Sequence, residues 1–303
     1  VARELSTDHH PPVRLRLTGL VVVYLLGCQG ATWAEGPIAD MTAADPAASS
    51  GESLAPADPS PAPRRGRPVL ELGTHEGVPW PVIVAPVDGP LPPAPVASEP
   101  PPDPATKAGA KVMAVVEAIR TSLRESRYQH STKVRADDGV YHWDCSGMTA
   151  WILRRSAPGA LRRLKSSRPV ARDFVTAIER APTDRARGGW QRIARIEDVM
   201  PGDVFAWRRP RGLPSKNTGH VGIVVDRPLA VPGLPGGWAV RIADSTSSFH
   251  QNDSRSDDPD GGFGIGTLTF LVDDEGEGTS YGWAGTRSDV YIVTPIVFGR
   301  VSR

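Results

Sequence analysis

Three features of the sequence predict an α+β domain. Apolar residues recur at helical spacing between about residues 107 and 178, and short apolar runs bounded by Gly, Pro and Asp fill the chain from residue 203 onwards. The stretch before both is too rich in proline to build either element. Of the 31 prolines in 303 residues, 18 fall between Pro37 and Pro104, and proline lacks an N–H donor and fixes φ. One folded unit is left, residues 106–303, long enough to bury a core. Helices first and strands afterwards imply N-terminal helices packed on a small antiparallel sheet of about five strands.

Taken in order, residues 1–34 read as an export signal: Arg14 and Arg16 precede the apolar run Leu20–Leu26, and small residues follow. That run is too short for a spanning helix, which needs about 20 apolar residues. Two exits are open. Leu25-Leu-Gly-Cys28 resembles a lipobox, which would lipidate Cys28, and Thr32-Trp-Ala34 resembles an ordinary cleavage site. The protein is therefore expected outside the cytoplasm, as a periplasmic or membrane-anchored lipoprotein or as a secreted protein. Membrane contact is expected only through that anchor. Residues 35–105 read as an extended Pro/Ala-rich linker. Within it Pro68–Leu72 and Trp80–Val84 have strand-like composition around Gly73 and Gly77, which predicts a small hairpin docked on the domain.

In the folded unit, Val112, Val115, Val116, Ile119 and Leu123 predict a helix over Lys107–Arg127. Asp144 predicts the N-cap of a second helix through Leu153, and Pro169 the first turn of a third through Ile178. The strands are expected at Asp203–Arg208, His220–Asp226, Trp238–Asp244, Thr267–Val272 and Asp289–Phe298.

The formal net charge of +1, from 35 Lys+Arg against 34 Asp+Glu, argues against a protein that coats nucleic acid. A monomer is expected. The two cysteines cannot make a disulfide framework. Neither zinc spacing nor a calcium loop is found, so no metal or organic cofactor is implied.

Cys145 is the only cysteine of the folded unit. It stands at the first turn of a predicted helix, where free N–H groups and the helix dipole favour a thiolate; such placements lower a thiol pKa to about 3.5–7.5. His220 begins one strand and Asp244 ends the next, so adjacent strands would hold base and orienting group side by side, opposite the start of that helix. Nucleophile, base and orienter together are the parts of nucleophilic catalysis.

Asp144-Cys-Ser-Gly-Met148, Pro201-Gly-Asp-Val-Phe-Ala-Trp207 and Gly219-His-Val-Gly-Ile-Val224 occur in an order that resembles the NlpC-type cysteine peptidases of bacterial cell walls, over roughly Ala108 to Val297. The resemblance implies a papain-like fold and hydrolysis of amide bonds in peptidoglycan stem peptides. Cys145 would be the nucleophile, His220 the general base and Asp244 the third polar residue, where the family more often has His, Asn or Gln. The family's Tyr-x-Trp-Gly-Gly-like stretch is reduced here to Tyr128 within Ser126–Thr132, which marks a divergent member.

Tyr128, His130, His142 and Ser146 are candidate pocket or oxyanion residues. In the polar loop after Asp244, Ser245 and Arg255 are the candidates for gripping a charged substrate, while His250 and Asp253 read as solvated loop residues. Arg154 to Arg172 holds seven basic residues and no acidic one, and reads as a solvated helix end. The expected function is that of an exported cysteine hydrolase acting on peptidoglycan or another amide. An amidase or acyltransferase on a lipid or small amide, and a non-catalytic wall-binding domain, are the alternatives.

Overall fold

The structure is a computed structural model that describes residues 69–75, 78–84, 95, 100–213, 217–255 and 260–302. The expected export signal, Cys28 and most of the expected linker lie outside the described residues. Strands β1 (Val69–His75) and β2 (Val78–Val84) form the hairpin that the strand-like pair predicts, with Val69 opposite Val84 and His75 opposite Val78.

Helix α1 (Lys107–Ser122) starts at Thr106, whose side chain accepts the Gly109 N–H at 2.9 Å. It buries Val112, Val116 and Ile119, one face at spacings of four and three. The helix stops short of Arg127, because the N–H groups of Arg124 and Glu125 both turn to the Gly139 carbonyl. That turn feeds a separate three-stranded sheet in which β5 (Val140–Trp143) lies between β3 (Glu125–Tyr128) and β4 (Lys133–Arg135). Three further helices come next, α2 (Cys145–Ser156), α3 (Pro158–Arg163) and α4 (Ala171–Glu179). In place of a first turn at Pro169, the start of α4 is closed by Asp173, which accepts the Val170 N–H at 3.0 Å.

After β6 (Trp190–Ile193), the chain forms β7 (Val204–Arg208), β8 (Gly219–Val224), the short β9 (Leu229–Ala230), β10 (Gly237–Thr246), β11 (Gly262–Val272), β12 (Gly278–Gly282) and β13 (Val290–Val301). Neighbours run β7-β8-β10-β11-β12-β13, all antiparallel, and β13 returns to pair with β7. The result is a closed six-stranded barrel. It corrects the expected papain-like arrangement of helices on a small five-strand sheet.

Two features account for the closure. Strand β12, Gly-Thr-Ser-Tyr-Gly, lacks an apolar alternation and so carries no strand pattern, yet it links β11 to β13. Strand β13 is 12 residues long and, besides pairing with β12 and β6, pairs through Val290–Ile292 with β2 and through Val297–Gly299 with β7. Pro295 lies between these two stretches, where its missing N–H is tolerated. The seam is fastened by Arg300, which donates to both oxygens of Asp203 at 3.1 and 2.9 Å, and by Thr294, which donates to the Arg208 carbonyl at 3.0 Å.

Alternation along the strands separates two cores. Phe205, Trp207, Val224, Val240, Ile242, Leu268, Phe270 and Phe298 fill the barrel. Val204, Ala206, Val221, Ile223 and Ala243 belong instead to the cluster that holds Met148 and Ile152 of α2 and Phe174 and Ile178 of α4. Each large side chain fully buried this way contributes roughly 1.5–3 kcal/mol of transfer free energy.

Candidate active site

Trp143 ends β5, and Asp144 caps α2 as predicted: its Oδ1 accepts the Gly147 N–H at 2.7 Å and the Ser146 hydroxyl at 2.8 Å. Cys145 is thereby the first residue of the helix, and it is only 6% exposed. A Cβ on Gly147 would collide with the Thr132 hydroxyl, so this glycine makes room for a protein group rather than for a substrate.

Burial, and next the Asp144 carboxylate, push the Cys145 thiol up to about 12, against the N–H groups of Val221 and Ser146 that pull it down. The expectation of a depressed thiol pKa is therefore corrected. A helix dipole is worth about 0.3–1 kcal/mol, under one pKa unit, whereas burial of a charge shifts a pKa by up to about 3–5 units. The resting sulfur is a thiol.

His220 and Asp244 come together as the adjacent strands predict, with Nε2 2.7 Å from Asp244 Oδ2. Both share the inward alternation of Val224 and Ile242, which places them at one end of the barrel interior. Gly219, at φ +139°, sets the start of β8; a side chain there would run into the Trp207 carbonyl. Trp207 and Trp283 pack on the imidazole with ring centroids at 5.0 and 5.2 Å. Burial lowers the His220 pKa more than Asp244 raises it, so the ring is neutral at neutral pH. With Nε2 engaged by Asp244, Nδ1 is the nitrogen left to act. No hydrogen bond joins Cys145 to His220, but the Cys145 sulfur lies against the N–H of Val221, the residue after His220.

Asp244 is wholly buried and holds two more partners. His250 Nε2 lies 2.8 Å from the same Oδ2, while Arg255 donates to Oδ1 and, at 3.0 Å, to the Asp244 carbonyl. Burial alone would raise this carboxyl; the His250 and Arg255 charges and the two histidine hydrogen bonds hold it well below the usual carboxylate range. His250, read from the sequence as a solvated loop residue, is buried and serves the site. The signal for His250 and Arg255 lies in β11. Gly264, opposite Asp244, would carry a Cβ 2.5 Å from Arg255 Cγ, and Gly266 one 2.7 Å from His250 Cβ. Gly262-Phe-Gly-Ile-Gly266 leaves the space that the loop's side chains fill.

Two clefts meet at this point. A larger one, about 740 Å³, is lined by Cys145, Ser146, Tyr128, His130, Trp151 and Arg168 among others. A smaller one, about 310 Å³, is lined by His220, Trp207, Arg209, Tyr281 and Trp283. Tyr128, Asn217 and Gly219 line both. Burial, then the negative charges of Asp144 and Asp244, raise the Tyr128 pKa, so the phenol remains a neutral donor. His130 sits at the cleft wall, its Nδ1 3.4 Å from Asp144 Oδ2.

The other sequence candidates lie elsewhere. His142 lines neither cleft and pairs with Glu125 at 2.6 Å. Ser245 is buried and donates to the Trp143 carbonyl at 3.0 Å, tying β10 to the strand before the nucleophile. Arg255 is committed to Asp244, Asp253 and the Gly262 carbonyl rather than to a cleft.

One nitrogen of His220, one of His250 and an oxygen of Asp244 lie within 4.8 Å of one another, close enough to share a metal ion. The hydrogen bonds already satisfy these atoms, and the Arg255 guanidinium supplies the positive charge that an ion would bring. The donor set fits an orienting network better than a metal centre. Comparison with family models, with curated proteins and with solved structures returned no match to this chain.

Proposed function

We propose that this chain is an exported cysteine hydrolase of amide bonds, acting on peptidoglycan stem peptides. The observation that carries the reading is His220 held by a buried, ionised Asp244 beside the strand N–H that touches Cys145, where two clefts meet. The order of the three sequence words around Cys145, Pro201 and His220 supports the wall-peptide substrate.

The resting pair is neutral, so the sulfur is activated as it attacks. The Cys145 proton passes to His220 Nδ1 while the sulfur bonds to the amide carbon. Asp244 stabilises the imidazolium that forms, as an ionised orienter does in a hydrolase triad. The oxyanion meets the Cys145 N–H at the start of α2 and the neutral Tyr128 hydroxyl. His220 then returns the proton to the leaving nitrogen, the C–N bond breaks and a thioester remains. Water, deprotonated by His220, releases the acid and restores the thiol.

Purified muropeptides incubated with the full chain test this reading. New amine and carboxyl termini are expected, insensitive to chelators and reduced about 10³-fold or more in Cys145→Ala. Release by Cys145→Ala at the wild-type rate would overturn it.

A further inference from the structure

The seven basic residues between Arg154 and Arg172 have no ion-pair partner among the described residues, and two of them, Arg154 and Arg168, line the larger cleft. Arg168 gives one donor to the His130 carbonyl and keeps the rest of its guanidinium. Beside them, Arg155 covers the ring of Trp151, which forms the cleft wall. Asp144 is the acidic group of that cleft, and its Oδ1 is occupied by Gly147 and Ser146.

If Cys145 and His220 act as proposed, a reading on which the division of the substrate rests, each cleft has its own duty. The leaving nitrogen takes its proton from His220, so the leaving half lies in the smaller, aromatic cleft. The acyl half then runs from Cys145 along the larger one. Arg154, nine positions after Cys145 on α2, and Arg168 line that same cleft.

We infer that the acyl half of the substrate is an extended chain bearing a carboxylate that docks on Arg154 and Arg168. The two guanidinium groups set specificity by charge, and a small neutral amide would leave this cleft unfilled.

Peptidyl chloromethyl ketones test this directly, because the tail beyond the reacting carbon occupies the acyl side. The protein is the full chain with Cys28→Ser, so that Cys145 is its only thiol. The probes are succinyl-dialanyl chloromethyl ketone, which ends in a carboxylate, its neutral acetyl counterpart and its cationic β-alanyl counterpart; iodoacetamide reports on the thiol alone. The succinyl probe is expected to label Cys145 about tenfold faster than the acetyl probe, the gain of one charge-assisted contact. The ratio should fall with added salt and invert in favour of the β-alanyl probe in Arg154→Glu/Arg168→Glu. The same charge change outside the cleft, Arg162→Glu/Arg163→Glu, should leave the ratio in place.

Equal rates for the three ketones, with Cys145 labelled by iodoacetamide, would overturn the carboxylate inference alone. Loss of the ratio in the Arg162/Arg163 variant would replace docking with diffuse attraction and overturn it as well. A folded protein in which no probe reaches Cys145 would overturn both this inference and the reading on which it rests.

Discussion

At the scale of single residues, the site turns on Asp244, a buried carboxylate that serves His220, His250 and Arg255 at once. Its oxygens fix the His220 ring so that Nε2 is committed and Nδ1 is free. Asp244→Asn keeps the shape but offers an N–H where His220 needs an acceptor. We expect kcat on muropeptides to fall by about 10²–10⁴ with KM little changed, the size of loss seen when a triad histidine loses its orienting carboxylate. His250→Ala removes one donor and leaves a buried acceptor short of a partner. Chemical denaturation should show a loss of about 1–3 kcal/mol. Cys145, His220 and Asp244 are legible as a set in the sequence because their chemistry survives without knowledge of the fold. His250 is not, since a loop of Ser, Asn, Asp and Arg has the composition of a solvated turn, and Arg255, singled out there for a substrate, binds Asp244 instead. Only the barrel mouth, which the sequence pattern does not reveal, makes that loop a plug.

At the scale of elements, the helix start that bears Cys145 is legible because Asp144 provides a local cap that no tertiary contact needs to supply. The end of α1 is harder to see, because it is set from a distance. Apolar spacing continues to Leu123, but a backbone acceptor on distant Gly139 ends the helix. Strand β11 carries the clearest element-scale prediction. A methyl group on Gly264 would lie 2.6 Å from Arg255 Cζ, beside the paired strand β10. Gly264→Ala is expected to displace Arg255 from Asp244, cost about 1–3 kcal/mol of stability from overpacking, and reduce turnover. Ala→Gly reversion at that site, measured by thermal unfolding and by muropeptide release, should restore both.

At the scale of the whole molecule, the sequence pattern shows that helices precede strands but not that the strands close. Closure depends on the strand without alternation, β12, and on the two-sided use of β13, both of which are long-range facts. His220 has a lowered folded pKa, so its contribution is complete above about 6.5 and is lost as pH falls toward the folded value. Asp244 is lowered too, so its contribution is complete above about 3.9 and is lost as pH falls further. Both signs agree: acid destabilises. Tm should decline from pH 7 to pH 3, and Asp244→Asn should flatten the lower part of that decline relative to wild type.

The central claim is that His220 activates a thiol whose own surroundings keep it protonated. The most direct measurement is the rate of Cys145 alkylation by iodoacetamide against pH, in the Cys28→Ser chain with and without His220→Ala. In the wild-type site the rate should rise as His220 loses its proton, below about 6.5, and then hold a plateau through neutral pH, because thiol and imidazole share one proton. Without His220 the plateau should vanish and the rate should climb only in alkali, as expected of a thiol pushed up to about 12. Identical profiles for the two proteins, each tracking a single alkaline ionisation, would contradict the claim and leave Cys145 as a buried structural thiol.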